Sequence, residues 1–199
     1  GDADLHVVVA AELEEALEQS PMFGEIGLDF RNVRDPSLYD SQERVFEFFL
    51  DAARHQDKIV NVHTSGAEAE VVELLTRYET RRAIIHWYSG PPEPLRHFIE
   101  RRCYFTFGCE LLSSEFNQQI AAEVPMELLL TETDNPGGPQ WVFGEAAMPE
   151  LVKTVLQALA IVKGVDLADM AQQVRRNMLT LLGDDGRFGQ WKALLEAGE

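Results

Sequence analysis

Four residues that can bind a divalent metal ion each end, or lie within, a short apolar run of the sequence. They are Glu25, His63, His86 and Asp134, in the runs 24–29, 59–63, 83–86 and 128–134. Short apolar runs between helical patterns are typical of buried parallel strands, and parallel barrels keep their chemistry at the carboxyl ends of their strands. Two carboxylates and two imidazoles suit Zn²⁺ or Mn²⁺, and the carboxylates also suit Mg²⁺. The pattern therefore predicts a metal centre.

The composition indicates one globular domain. The chain has 199 residues, of which 45% are hydrophobic and 26% charged, so it can bury a sizeable core. We predict a single domain over residues 1–199, with 184–199 forming a C-terminal tail helix. The sequence shows no apolar run of about 18 residues and no signal peptide. Cys103 and Cys109 are not spaced as a redox pair or a zinc knuckle, so a reducing cytoplasm is the expected location.

The net charge of −17 restricts the classes of partner. Non-specific adhesion to nucleic acid normally uses a basic surface, so that class is disfavoured. A phosphate substrate is still compatible with the charge, because bound divalent cations can invert the local field. Much of the acidity lies in helical stretches, where it is most simply a solvated face.

Apolar strand-like runs alternate with helical patterns along the chain. The helices are predicted near 7–19, 41–55, 67–78, 91–102, 113–123, 148–163, 166–182 and 187–195. A fifth strand is predicted at 103–107, and residues 135–139 (Asn-Pro-Gly-Gly-Pro) are predicted to form a loop. This alternation predicts an α/β fold with a parallel sheet, of the (β/α) TIM-barrel type. A closed barrel has eight strands, so about the last five βα units are expected here.

Five motifs in series resemble the TatD family of metal-dependent hydrolases, a branch of the amidohydrolase-like TIM barrels. The resemblance extends from about residue 23 to 182. The motifs are Gly-Glu-Ile-Gly-Leu-Asp at 24–29, Val-His at 62–63, His-Trp-Tyr-Ser-Gly at 86–90, Glu-Thr-Asp at 132–134 and Arg-Asn at 176–177.

The resemblance implies a role for each matching position. Glu25 would bridge two metal ions, and His63 and His86 would bind the second ion. Asp134 would bind the first ion or its water and act as general base, so that Asp134 and Glu25 are the expected catalytic residues. The implied reaction is hydrolysis of phosphodiesters, typically of DNA from a 3′ end, with Mg²⁺ or a similar ion.

Two features depart from the family pattern. The family begins with a strand bearing a His-x-His pair that binds the first metal ion, and this sequence has no such pair. We therefore expect an N-terminally shortened chain with a depleted first metal position. Many members also carry an arginine two residues after the position of His63, where this chain has Ser65. That change removes an expected phosphate contact.

Several alternatives remain open at the level of sequence. Glu132 could orient a metal ligand or act as a buried hydrogen-bond acceptor. Trp87, Tyr88 and Trp141 could stack on a nucleic-acid base or pack in the wall of a pocket. The first functional hypothesis is a metal-dependent deoxyribonuclease acting on nucleic acid. The second is a hydrolase of a small amide, lactone or phosphoester, and the third is a catalytically silent binding module.

Overall fold

In the part of the chain that the structure describes, five parallel strands form one sheet, as the sequence predicts. The computed structural model describes residues 15–197, and the strands lie in the order β1-β2-β3-β4-β5. Every adjacent pair is parallel, so a helical connection must return the chain between strands. The strands are β1 Met22–Asp29, β2 Ile59–Ser65, β3 Ala83–His86, β4 Tyr104–Phe107 and β5 Leu129–Thr131.

The helices cover the strands and continue beyond the sheet. The α-helices are α1 Tyr39–Gln56, α2 Glu68–Arg77, α3 Pro92–Glu100, α4 Glu115–Glu123, α5 Gly137–Phe143, α6 Val152–Lys163, α7 Leu167–Leu182 and α8 Gly189–Glu196. Short 3₁₀ turns lie at Pro36–Leu38, Cys109–Leu112, Met126–Leu128, Pro149–Leu151 and Gly186–Phe188. The helix predicted over 7–19 falls largely outside the described residues, of which 15–19 are helical. Between residues 15 and 197, no helix combines the length and apolar character needed to cross a membrane.

The two faces of the sheet build two separate apolar clusters. Because side chains alternate along a strand, Val60 and Val62 face the surrounding helices and join the larger core. Ile59 and Ile84 lie on the opposite, inner face, in a smaller cluster with Phe188 from the C-terminal region. The metal-binding side chains predicted at the strand ends belong to this inner face.

Residues 135–139 are a correction to the sequence analysis. They were predicted to form a loop, but α5 begins at Gly137 and continues through Pro139. Proline is accepted in the first turn of a helix because its missing N–H would have no helical partner there. Strand β5 is also shorter than the apolar run 128–134 indicated, since it ends at Thr131.

Asn177, in the last of the five motifs, fastens α7 to the end of the sheet. Its side-chain amide donates to the carbonyls of Met126 and Leu129, both at 2.7 Å. Its carbonyl oxygen accepts from Gln173 at 2.7 Å. The side chain is buried, and these bonds satisfy its own polar atoms.

Asp185 organises the opposite end of the sheet. Arg187 donates to both of its carboxylate oxygens, and Arg82 donates to one of them at 3.0 Å. Arg82 also donates to the carbonyls of Leu181 and Leu182 at the end of α7. The hydrogen bonds from Arg187 are the largest cause of the lowered pKa of Asp185, with further help from Arg82.

We expect Asp185→Asn to lower the free energy of unfolding by about 1–3 kcal/mol at neutral pH, because charged hydrogen bonds are lost. Because the pKa of Asp185 is lowered in the folded protein, its ionised carboxylate stabilises the fold at pH values above about 3.9, the pKa of an unfolded aspartate. This stabilisation is lost as the pH falls and the carboxylate is protonated. The difference in unfolding free energy between variant and wild type should therefore shrink below about pH 4. Urea unfolding across this range measures it. Asp184→Asn, at a fully exposed neighbour, is the control, and an equal loss in both variants would contradict the prediction.

Candidate metal centre

The carboxyl ends of the strands bring four predicted residues to one cavity of about 310 Å³. Glu25 comes from β1, His63 from β2, His86 from the end of β3, and Asp134 from the segment after β5. Two polar residues of the loop after β1, two aromatic residues and three short polar side chains complete the wall. These residues are Arg31, Asn32, Trp87, Trp141, Thr64, Ser65 and Ser89.

Register places the two histidines side by side. His63 pairs with His86 across β2 and β3, and Gly27 pairs with His63 across β1 and β2. A β-carbon on Gly27 would lie 1.9 Å from the carbonyl oxygen of His63, so no larger residue fits there. The register shifts between Phe23 and Ile26, and this bulge brings Glu25 to the inner face.

Glu25 lies between the two histidines. Its Oε1 atom is 2.6 Å from Nδ1 of His63 and 3.6 Å from Nε2 of His86. The hydrogen bond with His63 is the largest cause that lowers the pKa of Glu25 and also raises the pKa of His63. In the absence of a metal ion, a carboxylate and an imidazolium thus stabilise each other at this position.

Glu132 orients His86 through the ring nitrogen that faces away from the cavity. Its Oε2 atom is 2.5 Å from Nδ1 of His86, and its Oε1 atom accepts the backbone N–H of Trp87 at 3.1 Å. Glu132 lies beyond β5, but its own N–H still donates to the carbonyl of Phe107, which continues the ladder for one more residue. Nε2 of His86 is therefore directed toward the cavity.

Opposing effects act on the pKa of His86. Burial by itself would lower it, but the hydrogen bond and charge of Glu132, followed by the other nearby carboxylates, raise it to about 9. Binding a cation through Nε2 requires that nitrogen to lose its proton.

Asp134 completes the group from a turn. Its Oδ1 atom lies 3.9 Å from Nε2 of His86, and its side chain is 43% exposed. Burial raises the pKa of Asp134 above its ordinary value. The residue has φ of 47°, and Trp87, which directly follows β3, has φ of 44°. Left-handed backbone in residues other than glycine is costly and often occurs at functional sites.

The donor set fits a divalent metal ion chemically. Donors of one tetrahedral ion at about 2.1 Å are separated by roughly 3.4 Å, and Glu25 and Asp134 lie 3.6 and 3.9 Å from Nε2 of His86. His63 and Glu25 are instead in direct hydrogen-bond contact, so an ion would have to separate them. Within residues 15–197, no three such side chains are already arranged around a single point.

Asp29, at the end of the first motif, and Tyr88, a predicted site residue, have different surroundings. Asp29 accepts the N–H groups of Arg31 and Asn32 and also lies 3.3 Å from Nε2 of His63, so it both caps the turn and borders the site. Tyr88 does not reach the cavity. Its ring is fully buried against Phe98 and its hydroxyl donates to a backbone carbonyl, because the chain reverses direction after β3.

Glu110 is a buried carboxyl that the sequence analysis missed. Both of its oxygens accept the N–H of Gly108, at 2.9 and 3.0 Å. Burial raises the pKa of Glu110 to about 7, and the charge of Glu132 acts in the same direction. The only sequence signal was its position just after β4, at the end of the sheet that carries the site.

Known proteins share the sequence pattern and the fold of this chain. The family model described as TatD related DNase matches residues 3–183. The chain belongs to the TatD family. A TatD homologue from Escherichia coli, YJJV, has a crystal structure that superposes with a TM-score of 0.77 at 26% identity, covering 86% of this chain and 68% of that one. The TatD-family neighbours have the TIM-barrel fold, which confirms the predicted fold class.

Curated relatives of this TatD-family chain are named as metal-dependent hydrolases. One from Haemophilus influenzae is 27% identical over 157 residues, covering 77% of this chain and 62% of the relative. Another from Methanocaldococcus jannaschii is 25% identical over 154 residues, covering 77% of this chain and 59% of the relative. The chain thus spans about three fifths of the length of these relatives.

Gly138 permits α5 to approach the site, and it generates a stability prediction. A β-carbon there would lie 2.5 Å from the ring of Trp87 and 2.9 Å from Cβ of Asp134. We expect Gly138→Ala to cost about 1–3 kcal/mol of unfolding free energy through this overlap.

Gly137→Ala is the matched control, because a β-carbon at Gly137 meets nothing within 4 Å. Alanine favours a helix, so this variant should be neutral or up to about 1 kcal/mol more stable. Urea unfolding compares the two, and similar stability in both would show that α5 does not press against Trp87.

Proposed function

We propose that this chain is the metal-dependent hydrolase part of a phosphodiesterase, acting on DNA. The observation that carries the proposal is the convergence of Glu25, His63, His86 and Asp134 in one cavity at the carboxyl ends of the strands. The family description as a DNase supports the substrate class, and the names of the relatives support a divalent metal ion.

The four side chains have separate roles in this proposal. Glu25, His63 and His86 would hold a divalent ion, which could be Mg²⁺, Mn²⁺ or Zn²⁺, and Glu25 would bridge to a second ion where one binds. When bound, such an ion lowers the pKa of water and offsets negative charge on a phosphodiester. Glu132 keeps Nε2 of His86 directed at the ion by accepting from the other ring nitrogen.

Asp134 is the proposed general base. Its side chain is 43% exposed, so it is accessible to substrate and water. Burial raises its pKa, which makes the carboxylate a better proton acceptor than an ordinary aspartate.

The cysteines fit the proposed cytoplasmic location. Cys103 and Cys109 are both buried and free. Burial raises their pKa values, to about 12 for Cys103 and about 11 for Cys109, so neither is an activated thiolate. A reducing compartment is consistent with both.

A nuclease assay with added Mg²⁺, Mn²⁺ or Zn²⁺ tests the proposal. We expect cation-dependent cleavage of end-labelled single-stranded DNA, and Asp134→Asn should lower the rate by roughly 100-fold or more, as expected for loss of a general base. Glu145→Gln, at an exposed carboxylate that does not line the cavity, is the control. No hydrolysis of DNA or of a minimal phosphodiester under any of these conditions would refute the proposal.

Metal binding gives a second, independent test. In Glu132→Gln the amide would donate to Nδ1 of His86 and move the ring proton to Nε2, where it blocks coordination. We expect Mn²⁺ affinity, measured by calorimetry, to fall about 10–100-fold. Unchanged affinity would mean that Glu132 does not act through the His86 ring.

A small phosphoester is the second candidate substrate. Ser65 stands where an arginine could bind phosphate, and the net charge of −17 does not favour a polyanion. A preference for methyl p-nitrophenyl phosphate over oligonucleotides in the same assay would support this alternative.

A further inference from the structure

A second cavity, of about 390 Å³, continues from the metal centre across the mouth of the sheet. Four residues line both cavities, which are therefore contiguous: Arg31, Trp87, Ser89 and Trp141. The far end is formed by the turn before α4 and by Phe116 of that helix. We call the two cavities together the groove.

One wall of the groove is aromatic. The rings of Trp87 and Trp141 have centroids 6.2 Å apart and an interplanar angle of 35°. Trp141 is 80% exposed and Phe116 is 50% exposed, although both are large apolar side chains. Since stacked rings need roughly 3.5 Å of separation on each side, no ring fits between the two tryptophans. A planar ligand would instead stack on the exposed face of the pair.

Arg31 provides the groove with a positive charge. It is the only lysine or arginine that lines either cavity within the described part of the chain. Its backbone is fixed, because its N–H donates to the carbonyl of Ser65 and to Asp29, both at 3.1 Å. Its guanidinium has no hydrogen bond or ion pair with any of residues 15–197 and is available to a ligand.

We propose that the groove binds the single-stranded nucleotide next to the cleaved bond, with its base on Trp141 and an adjoining phosphate on Arg31. This inference rests on the proposed function and adds a substrate subsite to it. The backbone N–H of Arg31 donates to the carbonyl of Ser65. Arg31, from the loop after β1, therefore lies beside Ser65, the β2 position where an arginine was expected to contact phosphate.

Chemistry favours a nucleotide over other planar ligands. A base is planar and apolar on its faces, and its phosphate is an anion that a guanidinium can bind through two hydrogen bonds. Although the protein carries a net charge of −17, Arg31 provides one positive charge in the groove with which a phosphate can pair. Bases in a duplex are already stacked on each other, so the groove selects single strands.

The base contact is tested with oligonucleotides that carry one abasic nucleotide, placed in turn on each side of the cleaved bond. We expect the abasic nucleotide to reduce kcat/KM of the wild type by about tenfold at one of these positions. In the Trp141→Ala variant, the abasic nucleotide should have little further effect on kcat/KM, because the stacking partner of the base is gone. Trp191→Ala removes an exposed tryptophan of α8 outside the groove, and this variant should still lose about tenfold in kcat/KM with the abasic nucleotide.

The phosphate contact is tested with a neutral methylphosphonate at single positions of the same strand. The wild type should lose about tenfold in kcat/KM at one phosphate, and Arg31→Ala should no longer distinguish that phosphate from its neutral analogue. Arg34→Ala changes an exposed cation of the same loop that lines neither cavity, and it should discriminate as the wild type does.

Methyl p-nitrophenyl phosphate separates failure of the subsite from failure of the hydrolase. If the wild type hydrolyses this minimal diester with a metal ion but shows no base or phosphate discrimination, the subsite is wrong and the hydrolase stands. Hydrolysis of the small diester without cleavage of oligonucleotides leads to the same conclusion. If neither substrate is cleaved, the proposed function itself is refuted.

Discussion

The parallel register of β1, β2 and β3 is the constraint on which the site depends. It sets His63 beside His86 and places Gly27 against the backbone of His63, where a larger residue would collide. Because the pairing period is two, a slip of one residue would turn both imidazoles toward the helices. The bulge before Ile26 interrupts the pairing of β1 with β2, and it brings Glu25 into the cavity.

A second layer of contacts fixes the orientation of the side chains. Glu132 holds both the ring of His86 and the backbone N–H of Trp87, so one carboxylate sets an imidazole and the start of the groove wall. Trp87 and Asp134 have left-handed backbone conformations, and Gly138 lies against both of them. Such backbone conformations are costly in residues other than glycine and persist where the surrounding structure fixes the geometry of a site.

Charge is distributed unevenly between the two ends of the sheet. At the carboxyl end, four carboxylates contact the two histidines: Glu25, Asp29, Glu132 and Asp134. The three beside His86 raise its pKa to about 9, and the same negative charge would attract a cation. At the other end, Arg82 and Arg187 bind Asp185 and the end of α7, an arrangement that stabilises the fold. The total charge of −17 does not reveal this division, because both ends contribute to one sum.

The sequence by itself determined the strand and helix order, the parallel α/β class and the four side chains at the strand ends. These follow from local signals: apolar runs, helical spacing and residue type at a strand end. Tertiary structure alone decided that α5 begins at Gly137, that Tyr88 is buried in the core, and that Arg31 and Glu110 border the site. The reason is that such positions depend on contacts between distant segments, such as Arg31 with Ser65, which no local pattern encodes.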